Sequence, residues 1–264
     1  MHPIALQLGA LKVHWYGILL ALGFLGGLWT AARRAPLTGI PPDKISDAGI
    51  WLIIGAVLGA RVLFVMTYWR ESFAGEPLWE IFMIQKGGLV YYGGLIGAAV
   101  ACILFCRRYR LALWKVADVL APSIALGYVF GRLGCFMNGC CFGHPCNLPW
   151  AVKFPENPNG GPPSGVPLHP TQIYDSLLNL GLFLLLTWLY RRKKFDGQVF
   201  AAYLLCYAVT RSLADVFRGD YTESHRYGVL TPAHLVSIGI FVTGAVLFLI
   251  LRRLSPRQGR PTGN

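Results

Sequence analysis

Seven long apolar stretches constrain the fold of this chain more than any other feature of its sequence. Charged residues make up only 14% of its 264 residues, well below the share of about 25% in a soluble domain. Most of the stretches reach the roughly 17–25 residues that a helix needs to cross a bilayer. They are Trp15–Ala32, Ala48–Trp69, Gly88–Cys106, Val116–Phe136, Ile173–Tyr190, Val199–Phe217 and Leu235–Leu251. The sequence therefore predicts an all-α, polytopic membrane protein with seven transmembrane helices.

Basic residues are concentrated after alternate stretches, namely the first, third, fifth and seventh. They are Arg33, Arg34 and Lys44, then Arg107, Arg108, Arg110 and Lys115, then Arg191, Arg192, Lys193 and Lys194, and finally Arg252, Arg253, Arg257 and Arg260. Because cytoplasmic loops carry an excess of lysine and arginine, this alternation predicts an N-terminus outside and a C-terminus inside. The membrane surface then accounts for the net charge of +12, and no nucleic-acid partner is expected.

The chain is predicted to form one integral membrane domain over residues 1–254, followed by a basic cytoplasmic tail at 255–264. Outward loops are expected at 70–87, 142–170 and 219–231. The second of these loops holds eight of the 17 prolines, so it cannot be a helix. Connections of this length are uncommon unless they are functional or disordered, which favours a functional loop.

A few charged residues lie within or at the ends of the apolar stretches, where an unpaired charge is unfavourable and a functional role is the first hypothesis. They are Arg61, Asp118, Arg132, Asp175, Arg211, Asp215 and Arg218. The spacing of Tyr207, Arg211, Asp215 and Arg218 places them on one helix face. Arg211 is expected to pair with Asp215 four residues later. No acid near Arg132 or Arg218 in the sequence is an obvious partner for either.

Two arginines that converge from different helices can clamp a phosphate, because a guanidinium donates two parallel hydrogen bonds to phosphate oxygens. An anionic lipid headgroup is the natural ligand for such a clamp in a membrane. The alternative is a structural ion pair between helices, for example Arg132 with Asp175, since buried charges usually pair. Arg61 is assigned to this structural class.

Four cysteines cluster after the fourth stretch, namely Cys135, Cys140, Cys141 and Cys146. On the outward side of a membrane, disulfides are the first structural interpretation. Together with His144 and His169, the thiols could also hold a metal ion. Their spacing matches no established zinc or iron–sulfur pattern, so no metal site is predicted.

The motifs of this chain resemble those of the prolipoprotein diacylglyceryl transferase family, in order and over nearly the whole length. They are His14-Trp15-Tyr16-Gly17, Tyr92-Gly93-Gly94-Leu95-Ile96-Gly97, Gly131-Arg132-x-Gly134-x-Phe136-x-Asn138-x4-Gly143, Leu168-His169-Pro170-Thr171-Gln172-x-Tyr174-Asp175 and Tyr207-x3-Arg211-x3-Asp215-x2-Arg218. The resemblance implies a multi-pass enzyme of the bacterial inner membrane. It would transfer the diacylglyceryl group of phosphatidylglycerol to the lipobox cysteine of a prolipoprotein, releasing glycerol phosphate. No cofactor is implied.

The resemblance also implies a set of site residues. Catalytic roles fall on Arg132, Arg211, Tyr92 and Tyr16. Substrate-binding roles fall on Arg132, Asn138, Gly143, Tyr207, Asp215, Arg218 and His169. The well-known branch of the family has histidine, the usual candidate base, at the position of Tyr92. The substrate thiolate could therefore be generated by Tyr92, or it could be stabilised directly by the arginines.

The same branch has asparagine at the position of Cys135 and glutamate at that of Cys140, and these two cysteines could form a disulfide. Two alternative functions follow from these departures. One is a paralogue that binds lipid or lipoprotein without catalysis. The other is a membrane protein that uses its clustered cysteines for redox chemistry or for metal binding.

Overall fold

The fold is mostly helical. The computed structural model describes residues 3–9, 11–155, 161–220 and 231–255. The α-helices in these ranges are α1 (Trp15–Arg34), α2 (Pro42–Thr67), α3 (Trp69–Ser72), α4 (Tyr91–Arg108), α5 (Leu113–Asn138), α6 (Thr171–Tyr190), α7 (Gln198–Val216) and α8 (Pro232–Leu254). Short 3-10 helices occupy Ala35–Thr38, Leu78–Phe82 and Ile84–Lys86. Within the described ranges, six helices are long and apolar enough to cross a membrane.

These helices confirm the prediction of a mostly helical, polytopic membrane protein. The six are α1, α2, α5, α6, α7 and α8. The predicted third span, Gly88–Cys106, corresponds to α4, which is not among them. Its 18 residues begin with a tyrosine pair and end with Arg107 and Arg108, which shortens the apolar part of the helix. The seventh crossing and the orientation of the termini therefore stay predictions.

Two small antiparallel sheets depart from the predicted all-α class. Strands β1 (Ile4–Leu8) and β2 (Leu11–His14) form a hairpin before α1. Strands β3 (Val152–Lys153) and β4 (Pro167–Leu168) pair within the proline-rich loop. Such short strands leave too few residues for an alternating apolar pattern to be recognised. Residues 156–160 of that loop, 221–230 of the third outward loop and 256–264 of the predicted tail lie outside the described residues.

The chain divides into two compact units, the first comprising Met1–Ala31 and Ala117–Asn264 and the second Ala32–Val116. The prediction of a single integral domain stays a prediction. In the first unit, α1 packs against α5 at Gly23, where a Cβ atom would lie 2.8 Å from the Cβ of Phe130. In the second unit, α2 and α4 approach closely through small residues. A Cβ on Gly97 of α4 would lie 2.1 Å from the carbonyl oxygen of Gly55 on α2. Small residues at these positions therefore permit close helix packing.

Replacing Gly97 with alanine should destabilise the second unit, because the new methyl group cannot fit without moving one helix backbone. Overpacking of this kind costs about 1–3 kcal/mol. The matched control is Gly239→Ala on α8, where a Cβ would meet no atom within 4 Å. Thermal unfolding in detergent should show a lower midpoint for Gly97→Ala and an unchanged or higher one for Gly239→Ala. Equal midpoints for the two variants would contradict the close α2–α4 contact.

Arg61 organises the loop that precedes α4. Its side chain is buried, and Nε donates a hydrogen bond to the carbonyl of Ile81 at 2.7 Å. Nη1 donates to the carbonyl of Gly87 at 2.7 Å, and Nη2 donates to that of Glu80 at 2.9 Å. The prediction that Arg61 is structural holds, but the partners in these bonds are backbone carbonyls rather than a carboxylate. A guanidinium has enough donors to satisfy several carbonyls at once.

Asp118 on α5 fixes the start of α7. Its fully buried carboxylate accepts hydrogen bonds from the backbone amides of Gly197 and Val199 at 2.9 Å and of Phe200 at 3.0 Å. The ammonium group of Lys193 lies 2.9 Å from the same carboxylate. Burial by itself lowers the pKa of Lys193, but the carboxylate outweighs burial and raises this pKa above its ordinary value. Asp118 thus both caps a helix and neutralises a cation.

Candidate functional site

The site begins at Arg132, near the end of α5. Its Nε lies 2.8 Å from a carboxylate oxygen of Asp175 on α6. Nε and Nη2 also donate to the hydroxyl of Tyr128, one turn earlier on α5, at 3.1 and 2.6 Å. The Tyr128 hydroxyl in turn donates to Asp175 at 3.3 Å. Among the described residues, none accepts a hydrogen bond from Nη1 of Arg132. The guanidinium of Arg132 is therefore held by Nε and Nη2, and Nη1 is left to donate to a ligand.

A second arginine on α7 is held by a carboxylate with its own network. Nη2 of Arg211 lies 3.1 Å from Asp215, as the spacing predicted. The other oxygen of Asp215 accepts a hydrogen bond from the hydroxyl of Thr231 and lies 3.5 Å from Nδ1 of His234. Thr231 is also the N-cap of α8, where it and His234 form a capping box. The start of α8 thus positions the acid that orients Arg211.

A third arginine follows α7. Nε and Nη2 of Arg218 donate to the carboxylate of Asp220 at 2.6 and 3.0 Å. Nη2 also donates to the sulfur of Cys141 at 3.3 Å. This is a charge-assisted contact, because a guanidinium always carries its positive charge.

The three arginines share one electrostatic environment. Asp175 interacts with Arg132 most strongly of the three, and also with Arg211 and Arg218. Tyr128 interacts with both Arg132 and Arg211. The expectation that Arg218 has no obvious partner nearby in the sequence was wrong, since Asp220 pairs with it. The pairing of Arg132 with Asp175, which was considered as the structural alternative, is present. Asp175 lies on another helix, so the sequence alone offered it only as one possible partner of Arg132. A buried guanidinium needs a partner, and here that partner is Asp175.

The loop that follows α5 is hydrogen-bonded both to the segment before α6 and to the segment after α7. The amide of Gly143 donates to the carbonyl of His169 at 3.1 Å, and the amide of Gly219 donates to that of Phe142 at 3.0 Å. Isolated bridges join Gly143 to Arg218 and Pro145 to Leu168. The backbone therefore ties the loop that follows α5 to the start of α6 and the end of α7.

Replacing Gly143 with alanine should loosen this arrangement. A Cβ on Gly143 would lie 2.5 Å from the Cβ of His169 and 2.7 Å from the carbonyl oxygens of His169 and Phe217. Gly131→Ala is the control, since a Cβ there meets no atom within 4 Å. We expect a loss of roughly 1–3 kcal/mol for Gly143→Ala alone, measured as a lower thermal midpoint in detergent. A midpoint equal to that of Gly131→Ala would refute the tight packing.

Three thiols cluster beside the arginines. The sulfur atoms of Cys135, Cys140 and Cys141 all lie within 4.8 Å of one another. Cys146, His144 and His169, which were weighed as further ligands, are not part of this group. Hydrogen bonds from the other two thiols, together with the charges of Arg218 and Arg132, lower the pKa of the Cys141 thiol below its ordinary value.

The remaining predicted residues occupy different places. Tyr16 lies in the first turn of α1 and packs on Gly134, where a Cβ would lie 2.9 Å from the Tyr16 ring. Asn138 ends α5 and interacts with the thiol of Cys140. The ring of Tyr207 makes a T-shaped contact with Tyr128, with centroids 5.6 Å apart, and stacks on Tyr203, with centroids 5.7 Å apart. Tyr92 lies at the start of α4, in the second unit, with its side chain 56% exposed.

An apolar groove of about 500 Å³ runs between α6 and α7. Its lining residues are Tyr174, Leu177, Leu178, Leu213, Ala214 and Phe217. Tyr174 and Phe217 also contact His169, with ring centroids 6.0 and 5.4 Å from its ring. The hydroxyl of Tyr174 accepts a hydrogen bond from the indole of Trp150 at 2.7 Å. The groove therefore borders the same helices that carry Asp175 and Arg211.

Several residues of the site were missed in the sequence. Tyr128 lies in an apolar stretch, where aromatic residues are common. Its position four residues before Arg132 indicates that the two side chains can contact each other on a helix. Asp220 lies two residues after Arg218, a separation at which side chains on a helix do not face each other. The role of His234 could have been inferred from its place three residues after the N-cap Thr231.

Comparison with known proteins identifies relatives over nearly the full chain. The family model described as prolipoprotein diacylglyceryl transferase matches residues 3–250. Among the relatives is the phosphatidylglycerol–prolipoprotein diacylglyceryl transferase of Gloeobacter violaceus, which is 38% identical over 98% of this chain and 96% of its own length. The enzyme of the same name from Finegoldia magna is 36% identical over 94% of each chain. That from Chromohalobacter salexigens is 37% identical over 95% of this chain and 92% of its own.

Proposed function

Because the chain belongs to the prolipoprotein diacylglyceryl transferase family, we propose that it transfers the diacylglyceryl group of phosphatidylglycerol to the lipobox cysteine of prolipoproteins. The sulfur attacks the glyceryl carbon that is bonded to the phosphate oxygen. A carbon–sulfur bond forms as the carbon–oxygen bond breaks, and the electron pair leaves with glycerol phosphate. Negative charge therefore builds up on the phosphate as the reaction proceeds.

The observation that carries the proposal is the contact of Arg132 with Asp175 at 2.8 Å, with Arg211 and Arg218 in the electrostatic surroundings of the same carboxylate. Donors fixed in place before the reaction stabilise developing charge without reorganisation, which is usually the largest catalytic contribution. Asp175 and Tyr128 hold Arg132 by its Nε and Nη2, so Nη1 can donate to the phosphate. Asp215 holds Arg211 in the same way. The acids thus orient the arginines that bind the headgroup.

The other predicted residues complete this proposal. Tyr16, which packs on Gly134 two residues after Arg132, joins Arg132 and Arg211 in the catalytic group on the strength of the resemblance. Asn138, Gly143, Tyr207 and His169 contribute to substrate binding with Asp215 and Arg218. Tyr92 is proposed as a base or donor on the strength of the resemblance alone.

We place the acyl chains of the lipid in the groove between α6 and α7. A groove lined almost entirely by apolar groups suits hydrocarbon chains. Phosphatidylglycerol would then enter laterally from the membrane.

We further propose seven crossings of the bacterial inner membrane. The helix α4 adds the one crossing beyond the six long apolar helices, the N-terminus lies outside and the C-terminus lies inside. The alternation of basic clusters supports this orientation.

Rescue of a bacterium depleted of its only diacylglyceryl transferase tests the proposed function. We expect the wild-type chain to restore growth and the Arg132→Ala and Arg211→Ala variants to fail despite normal membrane insertion. Tyr92→Phe should also fail if its hydroxyl is the base. Lack of rescue by well-expressed wild-type protein would instead favour a paralogue that binds lipid or lipoprotein without catalysis.

A further inference from the structure

We propose that Cys135, Cys140 and Cys141 form a site for one Zn²⁺ ion, whose fourth ligand is the thiol of the substrate peptide. The three protein ligands are argued from geometry and charge alone. Only the identity of the fourth ligand rests on the proposed function.

The thiols have the separation that a shared metal ion requires. Their sulfur atoms all lie within 4.8 Å of one another. Around a tetrahedral zinc ion with zinc–sulfur bonds of about 2.3 Å, the sulfurs lie roughly 3.8 Å apart, so a small movement completes the site. A disulfide would join two of the sulfurs at about 2.05 Å and leave the third without a bond. A metal ion engages all three thiols.

The loop is held in this conformation by α6. Gln172 donates its side-chain amide to the carbonyl of Cys140, and Thr171 donates its hydroxyl to that of Cys141, both at 2.6 Å. Cys141 adopts a left-handed backbone conformation with φ of 61°, which non-glycine residues rarely adopt. Gln172 and Thr171 are both buried. The two loop thiols are therefore placed against Cys135 by rigid partners.

The surrounding charge suits a metal bound by thiolates. Three thiolates and one divalent cation have a net charge of −1. Arg218 donates to the sulfur of Cys141 at 3.3 Å, and Arg132 also interacts with this sulfur electrostatically. Donors to the ligand atoms orient them and tune the metal. Thiolate ligands also favour zinc over hard cations such as Mg²⁺.

The fourth coordination position is left for a ligand from outside. Among the described residues, no histidine, acid or further cysteine joins the group. Three protein ligands and one open position are typical of catalytic rather than structural zinc. A substrate thiol that binds there releases its proton to solvent and stays bound as a thiolate. The zinc-bound sulfur then attacks the glyceryl carbon, and the product thioether dissociates. Zinc then takes the place of a protein base, and of the two roles proposed for Tyr92 only that of a hydrogen-bond donor is left.

Metal analysis of the full-length protein tests the three-thiol site directly. Protein purified under reducing conditions with Zn²⁺ should hold one zinc ion per chain, and the Cys140→Ser variant should lose most of it. Cys146→Ser is the matched control and should retain the metal, because Cys146 lies outside the group. Wild-type protein without zinc and with three titratable thiols at these positions would overturn the site. A disulfide between two of them would do the same.

Spectroscopy of Co²⁺-substituted protein tests the fourth ligand without depending on turnover. Adding a lipobox peptide should increase the sulfur-to-cobalt charge-transfer absorption, while the same peptide with serine in place of cysteine should not. Removing the metal should lower diacylglyceryl transfer by at least about tenfold, because a free thiol is only a few per cent thiolate at neutral pH, and Zn²⁺ should restore the rate. An unchanged spectrum, or full transfer by metal-free protein, would reject substrate coordination. A positive spectrum without transfer in any metal state would reject the proposed function but retain the site.

Discussion

Replacing Arg132 with lysine should lower the rate of diacylglyceryl transfer by about three orders of magnitude. Lysine keeps the positive charge and can still pair with Asp175, which lies 2.8 Å from Nε in the wild type. It cannot hold that carboxylate and the Tyr128 hydroxyl while also presenting a further donor to the phosphate, because it has a single ammonium group. The loss should appear in the rate of transfer to a lipobox peptide at saturating phosphatidylglycerol.

The control for this prediction is the Arg107→Lys variant. Arg107 is an exposed arginine at the end of α4, outside the site. This variant should transfer at the wild-type rate, and both variants should insert into the membrane in equal amounts. Arg211→Lys should resemble Arg132→Lys, since its guanidinium is held by Asp215 in a similar way. Activity close to wild type in Arg132→Lys would show that this guanidinium only joins two helices.

Replacing Asp118 with alanine should cause the largest loss of stability among single changes outside the site. The carboxylate accepts hydrogen bonds from three backbone amides and the ammonium group of Lys193. Its removal leaves Lys193, whose side chain is only 11% exposed, with the exposed carboxylate of Asp196 at 3.0 Å in place of its buried partner. Breaking a buried ion pair in this way costs about 3–5 kcal/mol. Thermal unfolding in detergent should show a midpoint lower by roughly 10 °C.

An exposed ion pair provides the comparison for Asp118. Asp47 lies 3.2 Å from Lys44 with 44% of its side chain exposed, and surface pairs contribute about 0–1 kcal/mol. Asp47→Ala should therefore leave the midpoint nearly unchanged. The double change Asp118→Ala with Lys193→Met should recover part of the loss, because it removes a largely buried cation that has lost its buried partner. No difference between Asp118→Ala and Asp47→Ala would contradict the capping role.

The helices could be predicted from the sequence because their length and apolar character are local properties. The boundaries of α6 and α8 differ from the predicted stretches by a few residues at most, since Thr171-Gln172 and Thr231-Pro232 extend each helix before its apolar part. Glycine-rich spacings such as Gly55-x-x-x-Gly59 are local patterns too, and they permit the close packing that the structure shows between α2 and α4. The hairpin before α1 was missed because its strands have only five and four residues.

The ion pairs and the thiol cluster depend on contacts between helices, which the sequence leaves open. Arg211 and Asp215 could be paired because four residues bring side chains together on a helix. Arg132 and Asp175 come from different helices, so the sequence could only suggest them as one possible pair. The cysteine spacing matched no metal-binding pattern, since the third ligand, Cys135, belongs to α5 and the other two to the loop that turns back over it.

Mass spectrometry of the reaction products tests the central claim most directly. Purified protein in phosphatidylglycerol vesicles should convert a lipobox peptide into a species heavier by one diacylglyceryl group, with one glycerol phosphate released for each peptide modified. A peptide with serine in place of cysteine should stay unmodified, and Arg132→Lys should form little product. An unmodified peptide in every reaction, or transfer of a single fatty acid without glycerol phosphate, would contradict the account.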